Sequence, residues 1–108
     1  MHDDNDTRSI RAEYIENHLQ NMTVAELLLE YLKLEDVDKI FGIPGGAVIY
    51  IADQLKLQRE LFDFFICRHE TGAAYMADGY HRVTGKLGVV LTTAGPSAIN
   101  AVTGSMNA

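Results

Sequence analysis

Three short apolar runs, at residues 37–41, 61–67 and 87–92, are each followed by a turn and then by a stretch with helical spacing. The last contains Gly88-Val89-Val90-Leu91, too uniformly apolar to face water on one side. Alternation of such strands with helices implies an α/β fold: a parallel sheet with helices on both faces. Right-handed crossovers place every strand-to-helix turn at the same edge of the sheet. Three turns should therefore converge there, at residues 42–46, 68–70 and 92–97. Open α/β sheets bind their ligands along that edge.

The helices are marked by caps and by periodicity. Thr23-Val24-Ala25-Glu26 has the capping-box pattern. Val24, Leu27, Leu28, Tyr31 and Leu32 recur at helical spacing and predict a helix ending near Leu34. A second helix is predicted over 47–57, with Val48, Ile51, Ala52 and Leu55 on one face, and a third over 70–83, stopped by Gly85. A last helix begins near Ala98. Residues 1–21 read as a polar, acidic N-terminal tail with a short helix around 11–19, and residues 22–108 as the domain proper. Asn100, Ala101, Val102, Gly104 and Met106 look like a helix in progress at the chain's end, and three strands are few for such a sheet. The expectation is a domain incomplete at its C-terminus: part of a longer polypeptide, or completed by other chains.

With 108 residues and 47% hydrophobic content, one compact domain with a core is possible. The net charge is −6, and no basic stripe is present to neutralise a phosphate backbone, so nucleic acid is not an expected partner. The acids of the tail read as solvation. No apolar stretch approaches membrane-spanning length, and the acidic N-terminus does not fit a signal peptide, so no membrane partner is expected either. Cys67 is the sole cysteine; it rules out an intrachain disulfide and fits a reducing, cytoplasmic compartment. The four histidines are scattered and no H-E-x-x-H occurs, so no metal site is expected. Both common phosphate loops, G-x-x-x-x-G-K-[ST] and G-x-G-x-x-G, are absent, and Gly95-Pro96-Ser97 lacks the later glycine of a serine nucleophile elbow.

Glu70 stands where the second apolar run ends and a small-residue helix starts, in Arg68-His69-Glu70-Thr71-Gly72-Ala73-Ala74. Burial raises a carboxyl's pKa and the positive end of a helix lowers it. A group under both influences can hold or share a proton near neutrality, as acid–base chemistry requires. The plainer reading is that acidic residues favour the first turn of any helix. Gly72 and Gly79 inside the same helix each cost about 1 kcal/mol relative to alanine. With Ala73, Ala74 and Ala77 they predict close approach of another helix or a ligand, or simply tight packing within one subunit.

Phe41-Gly42-Ile43-Pro44-Gly45-Gly46-Ala47, then Arg68-His69-Glu70 with Met76-Ala77-Asp78-Gly79-Tyr80, then Gly95-Pro96 and Asn100, together resemble the N-terminal pyrimidine-binding domain of thiamine-diphosphate enzymes. The branch most resembled is the acetolactate synthase-like one, and the resemblance runs from about Thr23 to the end. It implies an enzyme, a lyase or transferase, that decarboxylates or ligates 2-keto acids, with pyruvate as the donor. Glu70 matches the family glutamate that hydrogen-bonds ring nitrogen N1′ of the cofactor's aminopyrimidine and thereby activates thiazolium C2. Ile43, Pro44, Thr93, Pro96 and Asn100 match further positions of the same cofactor-binding half-site. Pro44 and Pro96 are also ordinary turn formers, Thr93 a strand-end hydroxyl, and Asn100 a residue able to bond within its own helix.

The resemblance also implies a homodimer or homotetramer with the site between subunits, near the third helix. It implies Mg²⁺ held by a C-terminal domain with a Gly-Asp-Gly motif that is not present in this chain. This segment alone would then hold half a site and be inactive. Some relatives add FAD through a middle domain; these residues do not decide that. Thr71 stands where glutamine is frequent, Ser97 where the turn usually has a last glycine, and His81 where alanine is common. A second reading, motivated by the missing magnesium motif and the small-residue helix, is a non-catalytic α/β binding or oligomerisation module of the same fold.

Overall fold

The computed structural model describes residues 4–106; residues 1–3, with Asp3 of the acidic tail, and residues 107–108 lie outside them. Among the described residues, five helices and three strands follow in the order α1 (Asp4–His18), α2 (Val24–Leu34), β1 (Lys39–Gly42), α3 (Ile49–Leu57), β2 (Asp63–Ile66), α4 (Glu70–Thr84), β3 (Val89–Leu91) and α5 (Pro96–Ser105). Single 3₁₀ turns precede α2 and α3.

The three strands form one parallel sheet in the order β2-β1-β3. Gly42 pairs with Ile66 on one side and Leu91 on the other, so all three strands end level. Alternation along β1 feeds two cores. Ile40 points into a cluster with Leu29, Val37, Leu55 and Phe62, which α2 and α3 cover. Phe41 points to the opposite face, against Cys67, Ala73 and Ala77, under α4. Helices thus lie on both faces of the sheet, as strand–helix alternation demands. Full burial of Leu29 and Ile40 stabilises the first core by about 1.5–3 kcal/mol each.

The N-terminus of α2 forms as its sequence indicates. The Thr23 hydroxyl accepts from the Glu26 N–H at 3.2 Å and donates to the Glu26 carboxylate at 3.1 Å. The helix ends at Leu34, and Asp36 follows in the left-handed region at φ 58°. Its buried stripe matches the periodic residues only in part: Leu27 and Leu32 are half-buried, with Leu32 against the core. Ala25, Leu29 and Glu30 are buried, whereas Val24 is 85% exposed and Leu28 and Tyr31 also face outward. Glu26, Glu30 and Lys33 fall at i, i+4 and i+7 and mark a polar stripe, but Arg11 of α1 covers Glu30, which shifts the buried face around the helix from its apolar side.

The first helix begins at Asp4, well before the predicted start at 11. It is fastened to α2 by its arginines. Arg11 reaches Glu30 at 2.7 Å, and Arg8 donates to the Leu34 carbonyl at 2.6 Å and to Glu35 at 3.1 Å. Ile15 is buried.

The second run is not a buried strand. Only Asp63–Ile66 pair, at the edge of the sheet, and Phe65 and Ile66 are 44% and 70% exposed. The buried residues of that run are Phe62 and Cys67, one at each end. No strand covers the outer side of β2 among the described residues, so its apolar content does not translate into burial.

The close approach predicted for α4 occurs, but not at its glycines. A β-carbon added at Gly72 or Gly79 would meet nothing within 4 Å. The contacts lie at the alanines instead. Gly88 sits against the Ala77 carbonyl, and Gly104 of α5 against Ala74 and the Thr71 carbonyl. The small residues that let the backbones meet are therefore alanines on α4 and glycines on its neighbours.

Candidate functional site at the carboxyl edge of the sheet

Because the strands are parallel and end level, the three turns leave one edge. Ile43 N–H donates to the Leu91 carbonyl at 3.1 Å, and Cys67 N–H to the Gly42 carbonyl at 2.9 Å, which extends the pairing one residue into the turns. Gly45 lies flush against Thr93; a β-carbon there would come within 2.7 Å of Thr93 Cβ. The first and third turns are thereby in direct contact. Ile43 is half-buried against the Phe41–Cys67–Ala73 cluster, which brings the first turn to the start of α4.

Glu70 is the first residue of α4 and is buried, with 9% of its surface exposed. His69 caps the helix in an extended conformation, its Nδ1 accepting from the Thr71 N–H at 3.0 Å. A carboxylate at the positive end of a helix is electrostatically favoured. Asn100 of α5 donates from Nδ2 to Glu70 Oε1 at 3.2 Å. The other carboxylate oxygen, Oε2, has no hydrogen-bond partner among the described residues. That oxygen is not among the fully buried side-chain atoms without a partner, of which Gln58 Oε1 is the one found among the described residues, so it is reachable from outside this segment.

Of the six residues singled out by sequence, Glu70 and Asn100 are joined directly, Thr93 stands against Gly45, and Ile43 packs beside α4. Pro44 is exposed in the first turn, and Pro96 is exposed at the first position of α5, where proline suits a helix start. All six lie on the turns at the carboxyl edge of the sheet or in the first turns of the helices that follow. The grooves of about 370, 230 and 470 Å³ elsewhere on the molecule include none of the six. No group of three or more histidine, cysteine, aspartate or glutamate side chains suited to a metal exists among the described residues. No helix among them is long and apolar enough to cross a membrane.

Two further residues join these contacts. Thr71, a departure from the family pattern, donates its hydroxyl to the Asn100 carbonyl at 2.8 Å. Gly45 is the residue whose missing side chain lets Thr93 close on the first turn. The Gly-Gly pair in the sequence was the available signal for the second; nothing in the sequence signalled the first.

The family described as "Thiamine pyrophosphate enzyme, N-terminal TPP binding domain" matches residues 22–108. The acetolactate synthase large subunit of Haemophilus influenzae is 43% identical over 90 residues, which is 83% of this chain and 16% of that protein. The acetolactate synthase isozyme 3 large subunit of Escherichia coli is 44% identical over 86 residues, 80% of this chain and 15% of that protein. The acetolactate synthase catalytic subunit, mitochondrial, of Saccharomyces cerevisiae is 39% identical over 97 residues, 89% of this chain and 14% of that protein. The chain spans about a sixth of the length of the curated relatives it matches.

Proposed function

The chain belongs to the N-terminal TPP binding domain family of thiamine pyrophosphate enzymes, and from that premise we propose that it supplies the pyrimidine-binding half of an acetolactate synthase-like enzyme acting on 2-keto acids, pyruvate first among them. The observation that carries this reading is Glu70: a buried carboxylate at a helix start, held through Oε1 by Asn100 and free at Oε2.

The residues present fit thiamine diphosphate. An aminopyrimidine is flat and apolar on its faces and polar at its edge. Ile43 offers apolar surface at the rim, Gly45 keeps the turn low, and the free Glu70 oxygen offers a partner for N1′. The cofactor, when bound, supplies the thiazolium that takes up electrons during 2-keto acid chemistry. The task of Glu70 is to hold or move a proton at its free oxygen. Thr93, Pro44, Pro96 and Asn100 shape and brace the same half-site. We assign the diphosphate and Mg²⁺ to a partner domain. Pairing of two such units across the α4 side would complete each site, and Cys67, lone and buried, fits a cytoplasmic setting.

The test is Glu70→Gln in the complete enzyme. Hydrogen–deuterium exchange at cofactor C2, followed by NMR with thiamine diphosphate and Mg²⁺ present, should lose about 10²–10⁴-fold, the range of a positioned proton-transfer group. Unchanged exchange would defeat the assignment.

A further inference from the structure

Thr71 lies beside Glu70 on α4, but its hydroxyl serves α5. Oγ1 donates to the Asn100 carbonyl at 2.8 Å, and Asn100 in turn donates from Nδ2 to Glu70 Oε1 at 3.2 Å. The Thr71 N–H is occupied by the His69 ring at 3.0 Å, which fixes the residue from the other side. One turn further along α5, Gly104 is pressed against the Thr71 carbonyl and Ala74, where an added β-carbon would come within 2.9 and 2.5 Å. Helix α5 is thus held to α4 at two points, at Asn100 itself and one turn beyond it. A helical carbonyl has two lone pairs, so that of Asn100 can take the Thr71 hydroxyl in addition to its own helix bond.

We propose that Thr71 is a positioning residue for Glu70: by holding the backbone of Asn100 it sets where Nδ2 meets Oε1, and so which carboxylate oxygen stays available. This rests on the reading of Glu70 as the partner of the pyrimidine. A glutamate has three rotatable side-chain bonds. Without the Asn100 bond its carboxylate turns within the site, and displacement of a reacting group by about 1 Å can cost 10²-fold. Thr71 touches neither Glu70's carboxylate nor the rim; its effect passes entirely through Asn100.

The experiment has two arms. In the full chain, NMR follows water exchange of the Asn100 Nδ2 protons. The one that meets Glu70 Oε1 should exchange at least about tenfold slower than in a free asparagine, on the scale of one buried hydrogen bond. Thr71→Val should return it to the free rate, while Thr71→Ser keeps the protection. Backbone signals of α4 and α5 report whether the fold persists, and should Thr71→Val unfold the chain, the wild-type and Thr71→Ser rates decide. That proton exchanging freely in the wild type, or still protected in Thr71→Val, would overturn the inference.

In the complete enzyme, Thr71→Val should lower kcat and C2 exchange together by about five- to tenfold, the scale of one neutral hydrogen bond. KM for the 2-keto acid should stay within about twofold, and Thr71→Ser should restore the rate. A released Asn100 proton with undiminished C2 exchange would remove the positioning role. If Glu70→Gln itself left C2 exchange unchanged, the reading of Glu70 would fail instead, and the Asn100 protection would still report the Thr71 contact.

Discussion

Asn100 and Glu70 are thirty residues apart in the chain and 3.2 Å apart between α5 and α4. That bond does two things at once. It satisfies one oxygen of a buried carboxylate, and it ties the last described helix to the first residue of α4. Both matter for stability as well as for chemistry, because a buried charged group left without its partner costs more than the bond contributes when made.

Asn100→Ala should therefore destabilise the chain by about 1–3 kcal/mol. Urea denaturation followed by circular dichroism measures it. A loss below about 0.5 kcal/mol would mean that water replaces the amide fully.

The contact between the first and third turns gives a second expectation. Gly45→Ala sets a methyl group 2.7 Å from Thr93 Cβ. Overpacking of this kind costs about 1–3 kcal/mol. Thr93→Gly should recover part of that loss in the double variant, with a coupling of at least about 0.5 kcal/mol in a denaturation cycle. Additive effects would show that the two turns do not touch.

Glycines on α4 and α5 should behave in opposite ways. Gly72→Ala and Gly79→Ala add methyls into open space and should stabilise the isolated chain by about 0.5–1 kcal/mol each. Gly104→Ala drives a methyl into Ala74 and should destabilise it by about 1–3 kcal/mol. Thermal melts of the three variants separate the cases.

Acid should loosen α1. Burial works against the charged form of Glu30, but hydrogen bonds from Lys33 and Arg11 outweigh it and hold this carboxyl below its ordinary range. The unfolded chain therefore binds the proton more readily than the folded one. The stabilisation is complete above the unfolded pKa and is lost as pH falls through the folded value. Amide exchange should show α1 opening below about pH 4 while β1 stays protected, and Glu30→Gln should open α1 at neutral pH as well. Simultaneous loss of α1 and β1 would contradict this.

Much of the fold was legible because local chemistry and global packing agree. Thr23 and Glu26 mark a helix start by hydrogen bonding that needs no tertiary partner. Gly85 at φ 76° marks the end of α4 because a left-handed residue favours glycine. The exposed edge of β2 was not legible, because apolar content does not say which strand has a neighbour on both sides. Nor was the buried face of α2, where Leu28 and Leu29 are chemically alike and only the sheet beneath distinguishes them. At the site, Glu70 and Asn100 were each recognisable by motif. Their mutual bond, and the Thr71 hydroxyl behind it, depend on α5 crossing α4, which no spacing in the chain encodes.

The open flank of β2 has a practical corollary. Its unpaired backbone, with Phe65 and Ile66 bared beside it, is a template on which any extended peptide can lay itself down. Asp63, bound by Lys39 at 2.9 Å, puts charge at only the opening end of this flank. Concentrated solutions of the isolated chain should accordingly cloud with time, and a charged residue at position 66 should keep them clear.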